Sequence, residues 1–390
     1  MFLKNNIQKI YLLKVLLSMF FAIPVIVLFW QDNGLSMTEI MLLQSFCSII
    51  SVLLEIPSGY FADLYGRRWS LIIASSSMLI GMSMYAISTN LVGFLIAELF
   101  FGIYLAFLSG SVSAFIYDDL KDSGNSTEYL KIFGNVTFVS MIALAVSNIM
   151  GSIIASYELV YSIYGSIPFL ILAVGVASSL KEPKRQSLLI EKSHLKEVVR
   201  IFKLVLTKKS KIKWFIVYGS IVFAFNQSAL WLYQPYFELI KVEIIYYGLI
   251  FALFQVVAAI TSKFSYRIEN YFGEKHSLII LFFLVLTSFI LMSNFIFLFS
   301  FSFCFLQQIA RGFLVTVVDD YINKLTTSDI RATVLSVYGL FRRLIYALII
   351  PIFGYVADIF SLTQAFGFVA ILFFIVTLPV LIVMRKLGFL

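Results

Sequence analysis

The sequence predicts an all-α membrane protein of twelve transmembrane helices arranged as two pseudo-symmetric six-helix halves. Three observations predict it. Of 390 residues 61% are hydrophobic and only 13% charged, with a mean hydropathy of +0.97, more apolar surface than a water-soluble fold of this size can hide. Apolar runs of the ~20 residues needed to cross a bilayer recur along the whole chain. Several features also repeat at one internal offset of 203–207 residues.

The elements follow in order. The first apolar run, 11–31, is too long for a signal-peptide core and lacks a small-residue cleavage site, so it reads as a retained helix. Ser36-Met37-Thr38-Glu39 has the form of a capping box opening the second span, 38–62. Spans at 69–90, 92–118, 131–156 and 159–180 complete a first half, residues 1–180. Residues 181–213 are strongly basic with interspersed Leu188, Leu189, Ile190, Leu195, Val198, Val199, Ile201, Phe202 and Val205. That pattern is an amphipathic linker for the anionic inner leaflet. The second half, 214–390, holds spans at 214–237, 244–267, 276–296, 298–324, 332–357 and 363–384. Forty-one Phe and 21 Tyr suit lipid-facing and interfacial positions.

The halves echo one another. Gly134 and Gly339 are 205 residues apart, Gly151 and Gly354 203, and Tyr11–Trp30 matches Trp214–Gln234 at a similar shift. The segment Lys263 to Lys275, with Gly273-Glu274-Lys275, is a degraded copy of the loop at 59–68. One match is weak; several at nearly one offset, around a basic linker, indicate an internal repeat.

Basic residues orient the bundle. With both termini cytoplasmic, every Lys and Arg falls on the cytoplasmic side except Lys241 and the intramembrane Arg311, Arg342 and Arg343. The net charge of +8 and pI of 9.2 are thus spread by topology, not gathered into a nucleic-acid groove.

Gly59-Tyr60-Phe61-Ala62-Asp63-Leu64-Tyr65-Gly66-Arg67-Arg68 joins the second and third spans. Glycine permits the reversal, and Asp63 lies within reach of the Arg67 and Arg68 guanidinium groups. This G-x-x-x-D-x-x-G-R-R string resembles the signature of the major facilitator superfamily of secondary transporters. Glu55-Ile56-Pro57-Ser58-Gly59, Ser109-Gly110-Ser111 through Tyr117-Asp118-Asp119-Leu120, and Arg331-Ala332-Thr333-Val334-Leu335-Ser336 are similar to bacterial members, so the resemblance covers nearly the whole chain. It implies the major facilitator fold, with inverted three-helix repeats in each half, and a cavity lined by the first, fourth, seventh and tenth spans. It also implies a gate in which Asp63 faces the amino end of the eleventh helix while Arg67 or Arg68 reaches Asp118 or Asp119. Two departures weaken the drug-antiporter branch. The fifth span reads Ser147-Asn148-Ile149-Met150-Gly151 without a glycine-proline motif, and Glu98 stands where many of those antiporters carry arginine.

Charges inside a membrane normally face a cavity or a partner, because one at the centre costs at least ~2.5–3.5 kcal/mol. Arg342 and Arg343 lie about 15 Å into the eleventh span at 1.5 Å per residue, and diverge by about 100°. Arg342 shares a face with Leu335, Tyr338 and Tyr346; Arg343 with Ser336, Gly339 and Tyr346. Arg311 lies mid-way along the tenth span, near Gln307 and Gln308. Glu55 and Glu98 are read as the opposing deep acids. Glu98 is the preferred proton carrier, and Glu55, beside Pro57, a brace. The competing reading is that these charges pair and only hold helices together. On the seventh span Gln227, Trp231 and Gln234 share a face, with Asn226 and Tyr233 beside it, as substrate contacts or as an interfacial belt.

The expected function is secondary active transport of a small organic solute by alternating access. It would be proton-coupled, with an amphipathic organic anion as substrate. The alternatives are efflux of cationic or neutral drugs and a non-transporting sensor. Enzyme chemistry has little support: the two histidines, His194 and His276, lie in loops, Cys47 and Cys304 in separate spans, and no metal-ligand spacing or Walker loop occurs. The reading calls for no cofactor, no metal and no nucleic acid. It expects a functional monomer in the cytoplasmic membrane, in contact with lipid.

Overall fold

The computed structural model describes residues 5–183, 211–327 and 330–389, and its regular elements there are all helical. In chain order the α-helices are α1 (Asn6–Leu17), α2 (Ile26–Asp32), α3 (Met37–Tyr65), α4 (Arg67–Ile87), α5 (Leu91–Leu108), α6 (Ser111–Asp122), α7 (Tyr129–Ala155), α8 (Leu159–Ser179), α9 (Lys211–Leu239), α10 (Ile244–Asn294), α11 (Cys304–Lys324), α12 (Arg331–Ile359) and α13 (Leu362–Lys386). Short polar side chains open several. Asn5 and Asn90 accept from the Gln8 and Gly93 amides, and the Ser36/Glu39 box forms in both directions.

Among the described residues ten helices are long and apolar enough to cross a membrane. α10 is two rods meeting at Gly273 (φ 74°, ψ 173°), and the first apolar run is divided between α1 and α2. The number of crossings is therefore ten to twelve, according to how those two places are counted. Exposed Leu53, Ile87, Val92, Phe138, Ile171, Leu348 and Ile371 give the helices an apolar exterior, as a lipid-facing surface requires.

Three expected boundaries shift. The run 11–31 breaks between α1 and α2 around Pro24, where the Phe21 amide donates to Ser166 Oγ at 3.0 Å. Irregular backbone at membrane depth persists where protein supplies such a partner. The fourth span breaks at Ser109-Gly110, with Gly110 at φ 73°. The segment 263–275 is helical on both sides of Gly273, which alone departs from helical backbone there. The apolar pattern at 188–205 and His194 lie outside the described residues.

Two compact units emerge: Met1–Leu35, Phe46–Glu191 and Ile244–Ala252 form unit 1, and Ser36–Ser45, Lys192–Glu243 and Leu253–Leu390 form unit 2. They differ from a division at 180 and 214 in two segments, the first turns of α3 and of α10. Unit 1 is centred on aromatic packing of Tyr85 against Trp30, Phe94 and Phe101, with centroids 5.8, 5.8 and 5.3 Å away. In unit 2, Phe225 packs on Phe353 and Phe373 at 5.3 and 5.0 Å. Buried serines such as Ser75, Ser166 and Ser228 bond their own helix backbone, small residues that let membrane helices approach closely.

Candidate functional site

The 59–68 segment turns at Gly66, whose φ of 117° excludes ordinary side chains. The same glycine makes room for an acid: a Cβ there would lie 2.6 Å from the Glu182 carboxylate. Glu182 accepts from the Arg67 and Arg68 amides at 2.9 and 2.8 Å, satisfying two orphan donors at the positive end of α4. Across the turn Asp63 pairs with Arg67 at 2.7 Å, and Arg67 Nε lies 3.9 Å from Asp118. Arg68 instead donates to the Ser178 carbonyl at 2.7 Å. Asp119 accepts from Asn6 Nδ2 at 2.5 Å, and the Asn6 side chain also bonds both backbone groups of Lys181. Glu182 and Asn6 are the parts that sequence reasoning missed. The one available signal was an acid standing inside the basic run that follows span six.

Glu98 of α5 is buried and accepts from the Tyr85 hydroxyl of α4. It therefore faces the third span, within the aromatic core of unit 1. Glu55 is only half-buried and accepts from Ser109 at 3.1 Å, which ties α3 to the break between α5 and α6.

Unit 2 carries the richer arrangement. On α9, Phe223, Gln227 and Trp231 recur every fourth residue and are half-buried; on α12, Tyr338, Arg342 and Tyr346 recur at the same spacing, a half-buried arginine between two buried tyrosines. The stripes meet. The Arg342 guanidinium carbon lies 5.1 Å from the Phe223 ring centre and 4.5 Å from that of Tyr338, and Trp231 Nε1 donates to the Tyr346 hydroxyl at 2.7 Å. Gln227 occupies the α9 position between these contacts. Gln234 shares this face, about 20° round the helix from Gln227, and is buried. Arg343 lies off this stripe, about 100° round α12 from Arg342. Arg311 donates to Gln255 of α10 at 2.8 Å, and Asn226 donates to the Gln307 side chain at 2.8 Å.

One acid was overlooked. Asp319 of α11 is in electrostatic reach of Arg342 and Tyr338, and its Oδ1 is buried with no hydrogen-bond partner among the described residues. The count of two deep acids against three arginines is corrected to include it. The signal lay in the sequence, since Asp319 falls within the tenth apolar run, 298–324. Among the described residues no group of three or more His, Cys, Asp or Glu is placed to hold a metal ion.

A family model described as Major Facilitator Superfamily matches residues 12–244 and again 241–387. The chain belongs to the major facilitator superfamily. An uncharacterized MFS-type transporter of Methanocaldococcus jannaschii is 25% identical over 120 residues, a match spanning 31% of each protein. Solved structures share the superfamily fold across nearly the full length. The nucleoside transporter NupG aligns with a TM-score of 0.84 at 14% identity, over 98% of this chain and 99% of that one. A POT family transporter in complex with 5-aminolevulinic acid gives 0.74 at 13%, over 97% and 96%. A bacterial homolog of the human lysosomal transporter Spinster gives 0.72 at 14%, over 98% and 96%.

Proposed function

We propose that this superfamily member is a secondary active transporter that moves a small amphipathic organic anion by alternating access, coupled to protons. The observation that carries the substrate class is the Arg342 guanidinium lying over Phe223 and Tyr338 on a half-buried stripe. Ring contacts occupy the faces of a guanidinium and leave its N–H edge for a carboxylate or phosphate. Trp231, Tyr346 and Gln227 along the same stripe suit the less polar body of such a solute.

The proton is assigned to Glu98, a buried acid whose contact with the Tyr85 hydroxyl can serve either form. Asp319 supports a second assignment, because protonating it would leave Arg342 uncompensated and ready for an anion. The Asp63, Arg67 and Asp118 cluster is the proposed gate, with Asp63 reaching the amino end of α12 when that side closes. Two six-helix halves joined by the 181–213 linker, cytoplasmic termini, residence in the cytoplasmic membrane and a functional monomer complete the reading.

Uptake into proteoliposomes under an imposed pH gradient tests it. The panel would include 5-aminolevulinic acid, a nucleoside, aromatic carboxylates and a lipophilic cation, the first two taken from substances named for the structural neighbours. Gradient-driven accumulation of an anion, weakened by Arg342→Gln, is expected. Movement of the cation alone would favour drug efflux, with Asp319 and the aromatics holding it. No movement of any solute would favour a sensor.

A further inference from the structure

Three buried polar atoms within unit 2 have nothing bonded to them. Asp319 Oδ1 and Asn323 Oδ1 of α11, and the Tyr338 hydroxyl of α12, have no hydrogen-bond partner among the described residues. Asp319 and Asn323 are four residues apart, which sets their Cβ atoms about 5–6 Å from each other on one side of the helix. Helical side chains lean toward the amino end, so Asn323 inclines toward Asp319. Tyr338 is fully buried and within electrostatic reach of Asp319. Gly219 of α9 makes room for its hydroxyl, since a Cβ there would overlap that oxygen.

A buried acceptor with no donor has given up its hydration for nothing, so three of them together indicate an occupant. Its chemistry follows from what they lack. All three atoms accept hydrogen bonds, and one belongs to a carboxylate. A proton on Asp319 would serve a single atom, and a water brings two hydrogens and no charge. An ammonium brings three N–H donors and a positive charge. Arg342 does not fill the place. It acts electrostatically on Asp319, but none of the ion pairs among the described residues includes it. Its guanidinium rests instead over the rings of Phe223 and Tyr338. Acid and arginine are thus close enough to act on each other and too far apart to bond.

We infer that Asp319, Asn323 and Tyr338 form a subsite for a compact cationic group, the ammonium of a solute whose oxyanion lies on Arg342. The organic acid proposed above is then an amphipathic amino acid, its two charges divided between two neighbouring helices. This narrowing rests on the placing of the oxyanion at Arg342; the three unsatisfied acceptors stand without it. A free Na+ accompanying a simple anion would offer the same charge to the same oxygens, and the two sources are separable.

Calorimetric titration of the purified full-length protein tests the subsite with three probes of one skeleton. Phenylalanine carries both charges, 3-phenylpropionate only the carboxylate and phenethylamine only the ammonium. Phenylalanine should bind about tenfold tighter than either, the change expected for one charge-assisted contact. Asp319→Asn should erase its advantage over 3-phenylpropionate by weakening phenylalanine alone, a selectivity that loss of structure cannot mimic. Should Asp319→Asn not fold, Asn323→Leu, which removes one acceptor, should reduce that advantage two- to threefold. Na+ compared with choline separates the sources. If Na+ tightens 3-phenylpropionate about tenfold, and only where Asp319 is present, the subsite stands with a free ion as its occupant. Equal binding of phenylalanine and 3-phenylpropionate with no effect of Na+ overturns the inference, as does equal weakening of both by Asp319→Asn, or no binding of any probe. Phenethylamine bound as tightly as phenylalanine would keep the subsite and remove the oxyanion from Arg342. Phenylalanine bound as expected by a protein that moves no solute would keep the subsite and sink the transport reading.

Discussion

Glu98 and Arg342 are both charges lodged in apolar helices, and the two units accommodate them by opposite means. In unit 1 the Glu98 carboxylate is enclosed: Tyr85 donates to it, and Trp30, Phe94 and Phe101 pack round Tyr85. In unit 2 Arg342 stays half-buried, resting on the rings of Phe223 and Tyr338 with Asp319 nearby. An enclosed acid in a low-dielectric site is suited to holding a proton. A cation supported by ring faces is suited to receiving an oxyanion. On the proposed function this contrast is a division of labour, with the proton assigned to one unit and the solute to the other.

The strongest way to break this comparison is to neutralise the enclosed charge. Glu98→Gln should abolish accumulation against a gradient while solute exchange at equal pH continues. Undiminished accumulation would move the coupling role to Asp319, and Asp319→Asn would then show the loss. Next comes the open charge. Arg342→Gln should raise the apparent KM for the anion by about a hundredfold, as expected for two charge-assisted hydrogen bonds of about 1.5 kcal/mol each. An unchanged KM there would leave Arg342 a purely structural cation.

Smaller effects sharpen the contrast. Asp63→Asn removes a charge of the proposed gate from unit 1 and should slow turnover about tenfold, the equivalent of one ~1.4 kcal/mol contact, with KM and membrane insertion preserved. Kinetics on purified protein separates the two constants, and normal turnover removes the latch. Phe223→Leu should cost about 0.5–1 kcal/mol of cation–π support, a two- to fivefold rise in KM. An equal effect of Phe223→Leu on a neutral solute would mean that the ring packs against the substrate and not beneath the arginine.

The fold was legible because its causes are local. Apolar length, the Ser36/Glu39 box and the Gly59–Arg68 motif each act within a few residues, and a sequence displays them directly. The break at Pro24 escaped notice because apolarity continues through it; only the Ser166 hydroxyl, 145 residues away, shows why the helix can open there. Periodicity placed Phe223, Gln227 and Trp231 together, since four-residue steps stay on one face. It puts Gln234 on that face too, but a pattern of spacing does not display that Gln234 is buried while Gln227 is half-buried. Glu182 was missed for another reason: its partners are backbone amides of Arg67 and Arg68, and no residue type at those positions advertises a backbone donor.

The break between α1 and α2 bears on how the protein is made. Neither piece is long enough to cross a bilayer alone, since crossing takes ~20 residues. The Phe21 amide has its partner in Ser166, a residue the ribosome adds 145 positions later. At about 5–20 residues per second that interval is roughly 7–30 s. The hydrogen bond from the Phe21 amide can therefore be completed only once the sixth span has been made. Its completion is an event of late biogenesis.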